Sequence, residues 1–270
     1  LVSEDASCSI YSNAVKFNFE AQRYYRSKIT GMWNTALSWQ TADSQAGPWS
    51  DACTYPTDQN SDYISIENGH TITLPINLSA DQIIVQASGV LVLDEKLTVP
   101  NGNTIAQDLE VIGTLIDNGD ATNGLNFSNG GTWLLGNQGT IIKTWSSSVL
   151  PYKENYEGGI ATIPNTASWY YRYVGNDNVV TLTENMYYPN LYFESSNGFH
   201  AWDATNEFLS GTIGTTIIKG NLHVGNSNNG TVEVYHNNTF ASPILGIGNV
   251  YVGGNSTLRN TSLGGGSGTG

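Results

Sequence analysis

Residues 219–260 read KGNLHVGNSNNGTVEVYHNNTFASPILGIGNVYVGGNSTLRN, and nearly the same phrase occurs in them twice. GNLHVG begins at Gly220 and GNVYVG at Gly248, 28 positions later. Each is a short alternating apolar run fenced by Gly and Asn, the pattern of a half-buried strand between turns. A similar interval separates Gly89 in VQASGVLVL from Gly113 in LEVIGTLI, which lie 24 positions apart. Strands that return every ~20–30 residues with no helix between them are the mark of a solenoid. The fold expected is therefore all-β, a right-handed parallel β-helix. Each coil contributes two or three short strands, Val, Ile and Leu ladders fill the inside, and Gly and Asn at the corners supply positive φ or local backbone bonds. At ~25 residues per coil the body holds about eight coils, and at ~4.8 Å per strand the rod is about 40 Å long. The rival is a β-sandwich of antiparallel hairpins, because ENGH at 67–70 is a good hairpin turn. A sandwich, however, gives no reason for a phrase to repeat at coil length.

Composition agrees with a β protein. The 270 residues include 30 Gly and 30 Asn but only 10 Lys and Arg, so turn formers are plentiful and strong helix formers scarce. An aromatic content of 11% is too high for a disordered chain. The net charge of −13 argues against nucleic acid as a partner, since that affinity comes from cations at phosphates. The basic residues are unevenly placed: Lys16, Arg23, Arg26 and Lys28 fall in the first 28 positions and only six follow. No 18-residue apolar run is present, so no transmembrane helix is expected. LVSEDAS reads as the start of a mature exported chain, and the closing LGGGSGTG as a cut through a longer protein.

Three regions follow. Residues 1–61 form an N-terminal cap: AVKFNFE (14–20) alternates like a strand, and Trp33, Trp39, Trp49, Pro48 and Pro56 mark an irregular stretch. Residues 62–263 form the helix body, interrupted near 145–175 by an excursion carrying WSSSVLPYKENYEGG and SWYYRYVG. Residues 264–270 are flexible or truncated. Cys8 and Cys53 bracket the cap and show no zinc spacing. As a disulfide they would stabilise it by roughly 4 kcal/mol and imply an oxidising compartment, the alternative being two buried thiols.

YYRSKITGMWNTALSWQ, then PTDQNSDYISIENGHTITL, then IIVQASGVLVL resembles the start of β-helical modules in large secreted surface proteins of Bacteroidetes. The pattern falls on Tyr24, Tyr25, Gly31, Trp33, Trp39, Pro56, Asp62, Asn68, Gly69, His70 and Thr71. It is also similar to the eight-glycine β-helical domain of extracellular proteins. The later YYPNLYFESSNG and IIKGNLHVG resemble phrases of the same proteins. The resemblance covers residues ~24–125 and ~180–255 and implies type IX secretion and display on a Gram-negative cell surface as an adhesin or filament segment. The C-terminal sorting domain of such proteins does not occur in this sequence.

The chemistry of the residues points to binding. Polysaccharide-degrading β-helix enzymes, the alternative reading, need paired carboxylates and several cations in one groove. Glu184, Glu194, Asp203 and Glu207 could converge, but cations are sparse after residue 28. His70 belongs to a turn phrase, and His200, His223 and His236 lack zinc spacing. No cofactor is expected, with Asp117 and Asp120 in DNGDATNG as calcium candidates set against a solvated turn. The aromatic residues of the irregular stretches are the better clue. Trp145, Trp169, Tyr170, Tyr171 and Trp202 are expected as ligand-binding rings, because exposed aromatic faces stack on sugars or partner surfaces. Trp133 and Tyr173 lie beside them. The alternative is that such rings fill the core where coils are irregular. The partners expected are surface glycans or cell-surface proteins.

Overall fold

The structure, a computed structural model, describes residues 23–102, 107–119, 124–144, 155–173, 187–195, 199–201, 217–225, 231–237, 245–246, 248–253 and 257–261. The strand expected at 14–20, Cys8, Asp120, Trp145, Trp202 and residues 264–270 lie outside them. Among the described residues there is no α-helix; the regular structure is strands, with short 3-10 turns such as Ala36–Ser38 and Ile160–Thr162. Among the described residues no helix is long and apolar enough to cross a membrane.

Parallel pairing dominates. One nine-stranded sheet begins with Gly31–Met32 and continues through Thr71–Leu74, Val90–Leu93, Thr114–Asp117, Thr140–Lys143, Ser168–Tyr173, Asn190–Ser195, Leu222–Val224 and Val250–Val252. Its neighbours are parallel throughout. Between Thr71–Leu74 and Val90–Leu93 the chain visits two other sheets, with Leu78–Ser79 in one and Ile83–Val85 in the other. The same visit recurs after Val90–Leu93, with Leu97–Pro100 and Leu109–Val111. From Thr71 to Leu135 each strand thus pairs with the third strand along the chain. The interval is elastic: bonds between equivalent turns span 19 residues at Asn77–Lys96, 24 at Asp94–Asn118, 28 at Asn221–Asn249 and 31 at Asn190–Asn221.

The alternation seen in the sequence sorts the side chains. Ile72, Leu91, Leu115, Ile141, Trp169, Leu191 and Leu222 share one register row and are buried, and Leu74, Leu93, Asp117, Lys143, Tyr171, Phe193 and Val224 form a second. Their apolar and aromatic members join Ile64, Ile66, Val85, Val111, Leu97 and Val99 from the other sheets in one apolar cluster. In-register stacking of like side chains buries each aliphatic group fully, at about 1.5–3 kcal/mol apiece.

Several expectations are corrected. The ENGH turn is not a hairpin, because Ser61–Ile66 and Thr71–Leu74 join different sheets. Gly69 at its corner has φ +78°, the left-handed conformation that Gly adopts without strain. Gly89 and Gly113 are not positive-φ corners. They are required by close approach: a Cβ on Gly89 would stand 2.7 Å from the Ile66 carbonyl, and one on Gly113 would collide with the carbonyls of Gln86 and Gly89. The excursion expected near 145–175 does not include Ser168–Tyr173, a regular strand of the large sheet. The cap is also more regular than its composition suggests. Arg23–Ser27, Trp39–Ala42 and Ser50–Asp51 form an antiparallel meander whose first strand pairs in parallel with Ser61–Ile66.

The cap is tied down by its aromatic residues. Trp33 and Trp39 are fully buried and meet edge to face, with centroids 5.1 Å apart. Trp39 Nε1 donates to the Trp33 carbonyl at 2.8 Å, and Trp33 Nε1 to that of Pro56 at 2.9 Å. Cys53 is disulfide-bonded.

Candidate functional site

Parallel in-register strands place equivalent positions above one another at ~4.8 Å, close to the thickness at which flat rings stack. On the outer face of the nine-stranded sheet one row runs Thr73, Val92, Ile116, Ile142, Tyr170, Tyr192, His223, Tyr251. Its last four members are planar rings in one column. Tyr170 and Tyr192 stack at 4.2 Å and 9°, Tyr192 and His223 at 4.2 Å and 10°, and His223 and Tyr251 at 4.6 Å and 14°.

Both flanks of the column are fixed by polar bonds. On one side Arg172 Nε donates to Glu194 Oε2 at 3.0 Å. On the other, the Asn190 carboxamide oxygen accepts from the Asn221 backbone N–H at 2.9 Å, and that of Asn221 accepts from Asn249 at 3.0 Å. Burial, with Tyr192 and Glu194 close by, pushes the Tyr170 hydroxyl up to about 12. Burial lowers the pKa of His223, so its imidazole stays neutral at pH 7. Most ring faces are consumed by the stacking itself. What remains for a ligand is a row of ring edges bearing hydroxyl and imidazole polar atoms, and the ring of Tyr251, which is 48% exposed.

The rings expected as ligand contacts separate by parity. Tyr170 faces outward in this column. Trp169 and Tyr171 do not: they are 1% and 6% exposed, because they stand in register with Ile141 and Lys143 on one side and Leu191 and Phe193 on the other. Their expected exposure is corrected, and they fill the core. Trp169 meets Trp133 and Tyr188 edge to face at 6.2 and 5.8 Å, and the hydroxyls of Tyr171 and Tyr188 lie 3.2 Å apart. Tyr192, His223 and Tyr251 were missed as contacts. Their signal is the phrase Asn, apolar, aromatic, apolar, present at Asn190–Phe193, Asn221–Val224 and Asn249–Val252.

Other candidates have structural partners. Asp117 is buried and faces Lys143, with 3.0 Å between carboxylate and ammonium. Among the described residues no three His, Cys, Asp or Glu side chains converge on a metal position. His70 Nδ1 lies 2.8 Å from the Ser27 hydroxyl, which accepts from the Glu67 backbone N–H at 2.8 Å and so binds the cap to the first turn. Glu194 is paired with Arg172, while Glu184, Asp203 and Glu207 lie outside the described residues.

A pair of carboxylates, Asp81 and Asp108, sits where strands Ile83–Val85 and Leu109–Val111 begin. Asp108 accepts from the backbone N–H groups of Gly102 at 2.6 Å and Thr132 at 2.8 Å, and from Gln82 Nε2 at 3.2 Å. Burial, then the charges of Asp108, Asp58 and Asp62, push Asp81 up to about 6. No family model, no curated protein and no solved structure matches this chain.

Proposed function

We propose that this chain is a right-handed parallel β-helix module of a larger secreted protein, displayed on a Gram-negative cell surface as a non-catalytic adhesin or structural segment that binds glycans. The reading is supported by the resemblance of residues ~24–125 and ~180–255 to surface modules of Bacteroidetes. The observation that carries it is the column Tyr170–Tyr192–His223–Tyr251, a straight row of amphipathic ring edges on a rigid sheet. Such a row offers hydroxyl and imidazole hydrogen bonding at one spacing, with apolar carbon between, which suits an extended sugar chain. Rigidity matters because rings already held by stacking lose little entropy when a ligand arrives.

The test is a glycan array with a cell-adhesion assay on the unmodified protein and on Tyr192→Ala and Tyr251→Ala. Binding that weakens by ~1–3 kcal/mol in the variants, each shown by its melting curve to be folded at the assay temperature, supports the site. Equal binding by all three proteins counts against it, and turnover of any polysaccharide overturns the non-catalytic reading.

A further inference from the structure

We propose that the outer face of the N-terminal meander is a second binding site, built to hold the anionic group of a carboxylated sugar on Arg26. The site lies on Arg23–Ser27, Trp39–Ala42 and Ser61–Ile66, away from the ring column. Tyr24 and Arg26 alternate outward from the first of these strands, while Tyr25 and Ser27 are buried. Cross-strand register puts Gln40 opposite Arg26 and Tyr63 opposite Tyr24.

Arg26 is held before any ligand arrives. Its Nε and Nη2 both donate to Gln40 Oε1, at 3.0 and 2.8 Å, and its Cζ sits 4.4 Å from the centroid of the Trp49 ring. A neutral amide and an aromatic face orient the guanidinium without cancelling its charge. Among the described residues no carboxylate pairs with it: Asp51, two strands away and opposite Gln40, is engaged by Lys28 at 2.7 Å. A guanidinium has five N–H donors, so the bonds to Gln40 leave a fork free for a carboxylate. Beside it, Tyr24 and Tyr63 form a tilted ring pair with centroids 6.1 Å apart, both half-buried. That pair supplies the apolar contact that the carbon face of a sugar ring needs.

The acidic surroundings limit what binds. Glu67 and Glu110 stand close enough to Tyr63 to raise its pKa further after burial. With a chain charge of −13, long-range attraction of a polyanion is absent, and recognition rests on the short-range fork and rings. The ligand class is therefore a hexuronate or similar residue within a chain of low charge density. A sulfated sugar offers the guanidinium a related anion, and the test includes it.

The experiment is titration calorimetry of the whole chain with oligosaccharides containing a uronate, the same sugars carrying sulfate, and their neutral counterparts. The expected result is binding of the uronate form, weakened about tenfold or more by Arg26→Gln and also by Arg26→Lys, which keeps the charge but loses the planar fork. Lys96→Gln, outside both sites, leaves this binding unchanged, and the difference between the unmodified chain and Arg26→Gln isolates this site from the ring column. Preference for sulfate, equal affinity for neutral sugars, no binding by the unmodified chain, or full affinity in a folded Arg26→Lys variant each overturns the proposal.

Discussion

Asp117 and Lys143 face each other across 3.0 Å in the interior row of the large sheet, one strand apart, where every other rung carries an apolar or aromatic side chain. Lys143 Nζ also donates to the Gly119 carbonyl, and Asp117 accepts from the Gly119 N–H at 2.9 Å. Breaking a buried pair strands a charge, which costs roughly 3–5 kcal/mol, whereas apolar replacement of both members is often neutral or stabilising. Asp117→Leu and Lys143→Met should each lower stability by about that amount, and the double variant should recover most of it. Chemical denaturation measures this, and additive losses would mean that the pair is not coupled.

Gly113→Val and Gly89→Val should destabilise by about 1–3 kcal/mol, Gly113 the more, while Lys96→Gln changes little. The cause is steric: the added Cβ meets carbonyl oxygens of the adjoining turn. Equal melting temperatures for the glycine variants and the control would refute the close approach.

The pH dependence of stability should carry the mark of Asp81. Its ordinary pKa of 3.8 is raised to about 6 in the fold. The fold therefore favours the protonated form, and that contribution is fully present below 3.8 and lost as the pH rises through about 6. Asp81→Asn should stabilise the protein at pH 7 by up to about 3 kcal/mol and change nothing near pH 3. Melting curves across this range decide it, and a gain that is the same at both ends would point to another cause.

Trp169→Ala should cost about 3–5 kcal/mol, as a large core truncation does. Trp169→Phe should cost less, because the buried indole Nε1 finds no hydrogen-bond partner among the described residues. Tyr192→Ala should be the milder change for stability, since it removes two outer stacking contacts worth ~0.5–1.5 kcal/mol each. A Trp169→Ala variant as stable as the parent would return that ring to the surface.

Thiol titration of the unfolded, unreduced protein should find no free thiol, since the disulfide expected between Cys8 and Cys53 would consume both. Reduction should lower the stability of the cap by roughly 4 kcal/mol. Two titrated thiols would rule out the bond.

Strand period and parallel return were legible because both are written locally, in alternation and in spacing. GNLHVG and GNVYVG do lie in register, Leu222 against Val250. Facing was harder to read in SWYYRYVG, where four aromatic residues in six erase the apolar–polar contrast that assigns a side. Only the register with Ile141 and Leu191 shows that Trp169 points in and Tyr170 out. The ring column was hidden for a related reason. Its members are 22 to 31 positions apart, and each looks unremarkable until the strands are stacked. The Arg26 platform was invisible because Gln40, Trp49 and Tyr63 reach it from three different strands or turns.

The intervals of 19 to 31 residues between bonded turns have an architectural consequence. Strand register is preserved while the chain between strands lengthens, so the ladders act as a frame indifferent to what is hung from them. Closing a longer loop costs only about 0.6 kcal/mol per doubling of its length. New surface can therefore be grown at the turns, one insertion at a time, without renegotiating the core.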